Sequence, residues 1–427
     1  MRHLGLVACA MASALAVGTG ASAQSGTGPG MAQEATPGAG PNIPQAPETQ
    51  VDLISDVLYY SNVAASGEEL AAQRGLKLAD VVTTPSVDLT LARSLGRELL
   101  FIQGNAGYDI YAVNHVLDRE RLDVLGGVNA HLGPCQEVAT GEWLRHQNDL
   151  VESVTNVVRN TIDVETVSGT VTCGQVIGLA PSLAVSYTWR DNSAAQLVPS
   201  DSRFLTVAPT LGYQQPAFGS FALIGQFSQA VFPNERLAVF DPSAPDGFLL
   251  VTDGFNIYSG GVKFDRHLGG RLEGAVSVSY TDLVPSIAGT GGFRGVTYSL
   301  DATYKLADVL TAHTNLTRAT LPSNQINATF VVEEIYEADV SRALGSHLKI
   351  SLTASAEDQD YGGARLGPSL PLTQATIYKV FASATYAFTQ RLSLTLDTGD
   401  EQRHANAAGL SYSSLQVGLT AKLSFGH

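Results

Sequence analysis

A histidine that draws the proton from a neighbouring serine hydroxyl can run acyl transfer. The strongest local pairing of that kind in this chain is His404 with Ser411 and Ser413. It would suit an enzyme acting on lipid at a membrane rim. A histidine and two serines near a loop are commonplace, however, and spacing alone carries little weight. His115 and His146 stand in other polar stretches and read as solvated loop residues. The chain holds no CxxC, HExxH, GxGxxG, Walker or GxSxG pattern, so the usual metal, nucleotide and hydrolase signatures are missing. Asn315-Leu316-Thr317 and Asn327-Ala328-Thr329 match the glycosylation sequon, a pattern that chance often supplies. The expectation is a protein with no catalytic, cofactor or metal site.

The 3 cysteines divide by position. Cys9 falls within the opening stretch MRHLGLVACAMASALAVGTGASAQ, where Arg2 and His3 precede an apolar run from Leu4 to Val17. Ala21-Ser22-Ala23 supplies an A-x-A cleavage site, so residues 1–23 read as a secretory signal peptide. Leu6-Val7-Ala8-Cys9 resembles a lipoprotein box, but almost no apolar run precedes it. An exported chain meets an oxidising compartment, and Cys135 and Cys173 are then expected to form a disulfide. Closing that loop would stabilise the fold by about 4 kcal/mol on the loop-entropy account. A metal site would need further ligands close by, which the neighbouring sequence does not supply.

The elements that must position any site follow from composition and periodicity. The chain has 427 residues, 44% hydrophobic, only 15% charged, with 42 Gly and a net charge of −15. Such acidity argues against a nucleic-acid partner, which needs a basic patch. No apolar run beyond the opening stretch is long enough for a membrane-spanning helix. Residues 24–50 are almost wholly Gly, Pro, Ala, Gln and small polar residues, and are expected to form a flexible periplasmic tail.

From residue 51 onward the pattern is alternation. In the last segment Leu415, Val417, Leu419, Ala421, Leu423 and Phe425 share one face, against Gln416, Thr420, Lys422 and Ser424. RLEGAVSVSYTD, RGVTYSLDATYKL and ELLFIQGNAGYDI repeat the theme upstream. Period-two patterning is a strand signal. Sustained over ten or more residues, it outruns the roughly five or six of an ordinary soluble strand and suits one crossing a bilayer at a tilt. Tight connections such as Ser94–Arg97 and Thr389–Arg391 take turns with long polar ones such as FPNERLAVFDPSAPDG. Short periplasmic turns and longer external loops give an outer-membrane barrel that asymmetry.

Residues 51–427 are thus expected to form an all-β, transmembrane, antiparallel up-and-down β-barrel of about 18 strands. Segments 137–149 and 248–265 alternate poorly, which leaves 16 as the alternative. Pro209 is awkward within a strand and is read as marking a bulge. The apolar faces point to lipid and the polar faces to a wet lumen. Asp109, Asp123, His131, Arg190, Glu273, Asp301, Lys305, Glu333, Glu337, Asp397 and Lys422 are expected to line that lumen. An acidic excess there would favour cations or neutral solutes over anions. Tyr187, Trp189, Tyr280, Tyr304, Tyr386 and Phe388 would form the interfacial girdle.

Several stretches resemble the type 2 β-barrel porins of Gram-negative outer membranes: YYSNV (59–63), LDVLGGVNAHLGPC (122–135), GEWLRHQNDL (141–150), VTCGQVIGLAPSLAVSYTWRDNS (171–193) and LGYQQPAFGSFALIGQFSQAVFPN (211–234). The resemblance covers roughly 51–240 well and the remainder by pattern. It implies an outer-membrane location, no established catalytic residues, and an association with exopolysaccharide production and export. Phe425 is similar to the terminal aromatic residue that the barrel-assembly machinery reads, although Gly426 and His427 follow it. The expected function is porin-like passage or export of polar solutes, with exopolysaccharide as a candidate cargo. The alternative is a structural barrel anchoring an envelope complex, and a third reading is the rim enzyme. Expected partners are outer-membrane lipid, the assembly machinery and exopolysaccharide export components.

Overall fold

The computed structural model describes residues 43–426 apart from 148–156, 175–176, 216, 241–247, 269, 288, 307–308, 324–327, 364–371 and 408. Residues 1–23, Cys9, Asn327 and most of the tail at 24–50 lie outside the described residues. Wherever the sequence alternates, a strand forms. The first half comprises β1 (Glu48–Tyr60), β2 (Asp80–Leu95), β3 (Glu98–Tyr111), β4 (Arg119–Leu132), β5 (Cys135–Gln147), β6 (Thr161–Cys173), β7 (Gly178–Asn192), β8 (Ser202–Gln215) and β9 (Gly219–Phe240). The second comprises β10 (Phe248–Leu268), β11 (Leu272–Pro285), β12 (Phe293–Leu306), β13 (Leu310–Pro322), β14 (Phe330–Leu344), β15 (Leu348–Gly362), β16 (Gln374–Ala387), β17 (Leu392–Ala405) and β18 (Tyr412–Gly426). A short α-helix, α1 (Glu68–Gln73), sits in the first long connection.

Each strand pairs antiparallel with the next, and β18 returns to pair with β1 from Gln50↔Gly426 to Tyr60↔Gln416. The sheet closes on itself, so no strand edge is left within the body of the barrel. A membrane demands that closure, because hydrocarbon cannot satisfy free backbone groups. A strand of about 14 residues at ~3.3 Å per residue, tilted by ~40°, covers the hydrocarbon thickness with some to spare. At one end the strands join by tight turns, several closed by glycine in the left-handed region: Gly96 (φ 67°), Gly133 (φ 60°) and Gly345 (φ 71°). The long connections all lie at the other end.

The strand count is 18. The poorly alternating segments fold as β5 and as part of β10, because ladder pairing on both sides overrides a weak local pattern. Pro209 does not mark a bulge. It sits opposite Leu183 in an unbroken β7–β8 register, and the β8–β9 register keeps one offset from Val207↔Phe227 to Thr210↔Ile224. Proline withholds one donor toward β9 without displacing the strand. The register shifts instead between Thr252 and Asp253, where β10 meets β9.

The two faces separate by parity. Leu53, Val57, Val417, Leu419, Leu396, Val380 and Leu352 are 41–54% exposed, far too open for a soluble core. Their cross-strand partners continue the same face around the barrel, as in Leu53↔Leu423 and Leu419↔Leu396. The buried apolar residues gather at the two mouths rather than in a central core. Near the loop end, Val63, Ala64, Ala71 and Leu76 of the first connection pack onto Tyr60, Val82 and Tyr111. At the turn end, Ile43 packs against Ala92, Leu99, Phe101 and Leu125.

Candidate functional site: the inward face

Direct cross-strand partners share a face, so the register carries orientation from strand to strand. Starting from outward Leu53 and following the pairings, every residue expected at the lumen falls on the face opposite the apolar belt. The chain of partners includes Asn105↔Asp123, His131↔Gln136, Arg190↔Ser202, Glu273↔Thr303, Asp301↔Asn315, Lys305↔Thr311 and Asp397↔Gly418. Glu333 and Glu337 face Ala319 and Asn315, and Lys422 faces Ile54. Asp109 accepts from Thr84 at 2.7 Å and pairs with Arg119 at 2.7 Å. Lys422 pairs with Asp52 at 2.6 Å.

Sequence reading left out several inward groups. Asp56, Asp88 and Glu142 join Asp123 and Asp397 on β17, β1, β2, β4 and β5, within the run of neighbouring strands from β17 through β18 and β1 to β5. No ion pair closes on any of these five carboxylates among the described residues, so together they make an acidic wall. Asp56 and Glu142 lie in segments that alternate less cleanly than the later ones, whereas Asp88 stands in the regular alternation of Val87, Leu89 and Leu91 and was open to the same parity argument. Elsewhere the inward face is built of hydroxyls bonded across strands. Thr140 and Ser168 stand 2.6 Å apart, Thr166 and Thr188 3.1 Å, Thr206 and Ser228 3.0 Å, and Ser277 and Ser299 2.7 Å. Each pair satisfies its own ladder position and leaves further lone pairs and rotors for a passing polar solute.

Both mouths are narrowed. The first long connection turns inward and is tied to the last one by Gly67 N–H donating to Gly409 O at 2.8 Å. Asn114 links Lys77 and Asp80, joining that connection to the β3–β4 loop. Further round, Phe330 and Val332 pack among Phe232, Phe255 and Leu283. Three consecutive buried residues, Phe330, Val331 and Val332, show both faces of β14 covered where it begins.

The girdle aromatics face outward near strand ends. Tyr187 and Trp189 meet edge-on at 4.4 Å, as do Tyr386 and Phe388 at 4.9 Å, while Tyr280 and Tyr304 are exposed. Phe425 is outward and 43% exposed, opposite Val51. The rim serine–histidine pairing does not form: Ser411 exchanges hydrogen bonds with the Ala405 backbone, Ser413 turns to Asp400, and His404 meets Tyr378 edge-on. His115 is a solvated loop residue beside Asp118. His146 is not a loop residue; it sits inward on β5 opposite Arg121, with both ring nitrogens buried. The disulfide joins Cys135 to Cys173.

A closed 18-stranded antiparallel barrel, greasy outside and hydrophilic inside, is a porin-like outer-membrane β-barrel. Residues 245–425 match the family described as Putative beta-barrel porin 2. This is the family that the sequence resembles, although the match falls on the part read by pattern and not on 51–240. Among solved structures, the chain is similar to Pseudomonas aeruginosa OccK10 (OpdN), at 13% identity and TM-score 0.43, over 89% of this chain and 99% of that one. It is also similar to Pseudomonas aeruginosa OccK2 (OpdF), at 10% and 0.46, over 88% and 98%. Acinetobacter baumannii OccAB3 is similar at 9% and 0.45, over 89% and 99%. No curated protein matches the chain.

Proposed function

We propose that the barrel passes small polar solutes, favouring cations and neutral polyols over anions. The acidic wall of Asp56, Asp88, Asp123, Glu142 and Asp397 carries this reading, because rings and arcs of one charge sign set the selectivity of such pores. The hydroxyl pairs across strands support neutral polyols, and an exopolysaccharide strand is the extended cargo that such a surface would suit. Planar-bilayer recording under a salt gradient tests the proposal. Cation preference is expected in the native barrel, and the triple change Asp123→Asn, Glu142→Gln and Asp397→Asn should abolish most of it. Anion preference in the native barrel would overturn the assignment.

A second reading is a closed barrel that anchors an envelope complex, supported by the packing at both mouths. Absence of any current from correctly folded barrel would favour it. We further propose that residues 1–23 direct export and are removed, and that Phe425 is read by the assembly machinery. Mass measurement of the barrel recovered from outer membranes tests the first: a mass starting at Gln24 is expected. Slowed insertion of Phe425→Ala tests the second.

A further inference from the structure

One inward cluster lies apart from the acidic wall. His313 on β13 stands with Glu337 and Asp339 on β14, and their ligand-bearing atoms all lie within 4.8 Å of one another. His313 and Asp339 are direct cross-strand partners, and Glu337 projects from the same face as Asp339, two residues along. We propose that these three side chains bind one divalent transition-metal ion of the borderline class that Zn2+ typifies.

The donor set points to that class. One imidazole nitrogen with two carboxylates suits borderline cations, whereas Ca2+ and Mg2+ favour all-oxygen shells. The surroundings orient the donors as a metal requires. Asp301 Oδ2 lies 2.9 Å from His313 Nε2, and Nδ1 turns to Asp339 Oδ2 at 3.3 Å. A metal-bound histidine ordinarily gives its second N–H to a carboxylate, which fixes the tautomer, and Asp301 occupies that place. Thr353 donates to Asp339 Oδ1 at 2.5 Å, so Oδ2 is the oxygen left facing the imidazole.

Charge balance argues the same way. Asp301, Glu337 and Asp339 converge on one imidazole, which can offset at most one of the three negative charges. Lys305, Lys349 and Lys379 face the lumen from neighbouring strands, yet none closes an ion pair with these carboxylates among the described residues. A dication placed between His313, Glu337 and Asp339 supplies the missing positive charge. His313 is only half-buried, so ions in the lumen reach it.

Calorimetric titration of chelator-stripped, detergent-folded barrel with Zn2+ alone is the test, repeated with Co2+ for its visible absorption. One equivalent is expected to bind, with Mg2+ and Ca2+ at least tenfold weaker. His313→Asn and Glu337→Gln should each weaken binding tenfold or more. Asp301→Asn, which touches no metal, should weaken it by about 10- to 100-fold through the imidazole it orients. His267→Asn, on the same face, should leave it unchanged. Heat-modifiable migration reports folding of every variant, and Asp339→Asn replaces any variant that fails to fold. No stoichiometric binding would overturn the proposal, as would binding that survives His313→Asn and Glu337→Gln together, or equal affinity for Ca2+. Binding is read without current, so it stands or falls separately from solute passage.

Discussion

Cys135 and Cys173 are direct cross-strand partners at the foot of the β5–β6 hairpin, their Cα atoms 4.0 Å apart. The bond therefore joins two hydrogen-bonded strands residue to residue, with no gap between turns to span. It clamps adjacent strands opposite the long connection that joins them at the other end. The gain lies mainly in the unfolded chain, where a loop of 38 residues is held closed. Replacing both cysteines by serine should leave a folded barrel that unfolds in guanidinium with about 2–4 kcal/mol less stability. Equal midpoints with and without the bond would show the foot is held by pairing alone.

Leu419 and Thr420 are neighbours on β18 that look in opposite directions: Leu419 is 45% exposed on the outer belt, while Thr420 faces Asp56 inside. Leu419→Lys should cost about 2–4 kcal/mol in refolding titrations from lipid vesicles, the usual penalty for a cation at mid-membrane depth. Thr420→Lys, meeting Asp56 in the lumen, should cost well under half of that. Similar penalties at both positions would invert the assignment of faces.

Val63 and Ala64 are fully buried where the first connection seats on Tyr60, Val82 and Tyr111. Val63→Asp sets a carboxylate into that apolar seat without a partner, a change that costs several kcal/mol unless the segment moves away. The expected outcome is a folded barrel with larger single-channel conductance, since the connection no longer occupies the opening. Unchanged conductance would show that the inward packing does not limit passage.

Ile43 supplies the matching contact at the opposite mouth, against Phe101 and Leu125. Removing residues 24–47 should raise conductance further and leave the closing β1–β18 pairing almost whole, because β1 begins at Glu48. A barrel that fails to fold without this segment would make it a structural strap instead.

Carboxylates of the acidic wall act on passing ions through water, so screening decides their reach. The Debye length falls from about 10 Å at 0.1 M salt to about 3 Å at 1 M. Cation preference should therefore be strong at 0.1 M and largely lost at 1 M. A preference indifferent to salt would place selectivity in a narrow contact site instead.

Much of this architecture was legible because one period governs the barrel. Val276, Val278 and Tyr280 alternate with Ser277 and Ser279, and nothing but an outward belt uses that order over so many residues. Lumen residues from Glu273 to Lys422 could be named from parity alone, since a one-residue slip would put them in lipid. What escaped depended on distance in three dimensions. Asp56, Asp88 and Glu142 come from three different strands, β1, β2 and β5, and closure of β18 on β1 brings Asp397 of β17 to the same surface. His313 carried no motif, because its partners come from β12 and β14 rather than from its own strand. The inward turn of the first connection was equally hidden: Val63 and Ala64 belong to no strand, and loop packing follows no period.

The long hairpin of β9 and β10 rises past its neighbours. Among the described residues, above Val231↔Arg203 and Phe255↔Pro285 its two strands find ladder partners only in each other, through Phe240↔Phe248, apart from Ser286 N–H donating to Gly254 O at 2.8 Å. Beyond that bond, the flanks of the ribbon offer rows of peptide donors and acceptors above the membrane, the very template by which one chain recruits another. Crowded in a detergent-poor preparation, barrels would begin to stick together there, ribbon edge to ribbon edge, long before their greasy walls lose their cover.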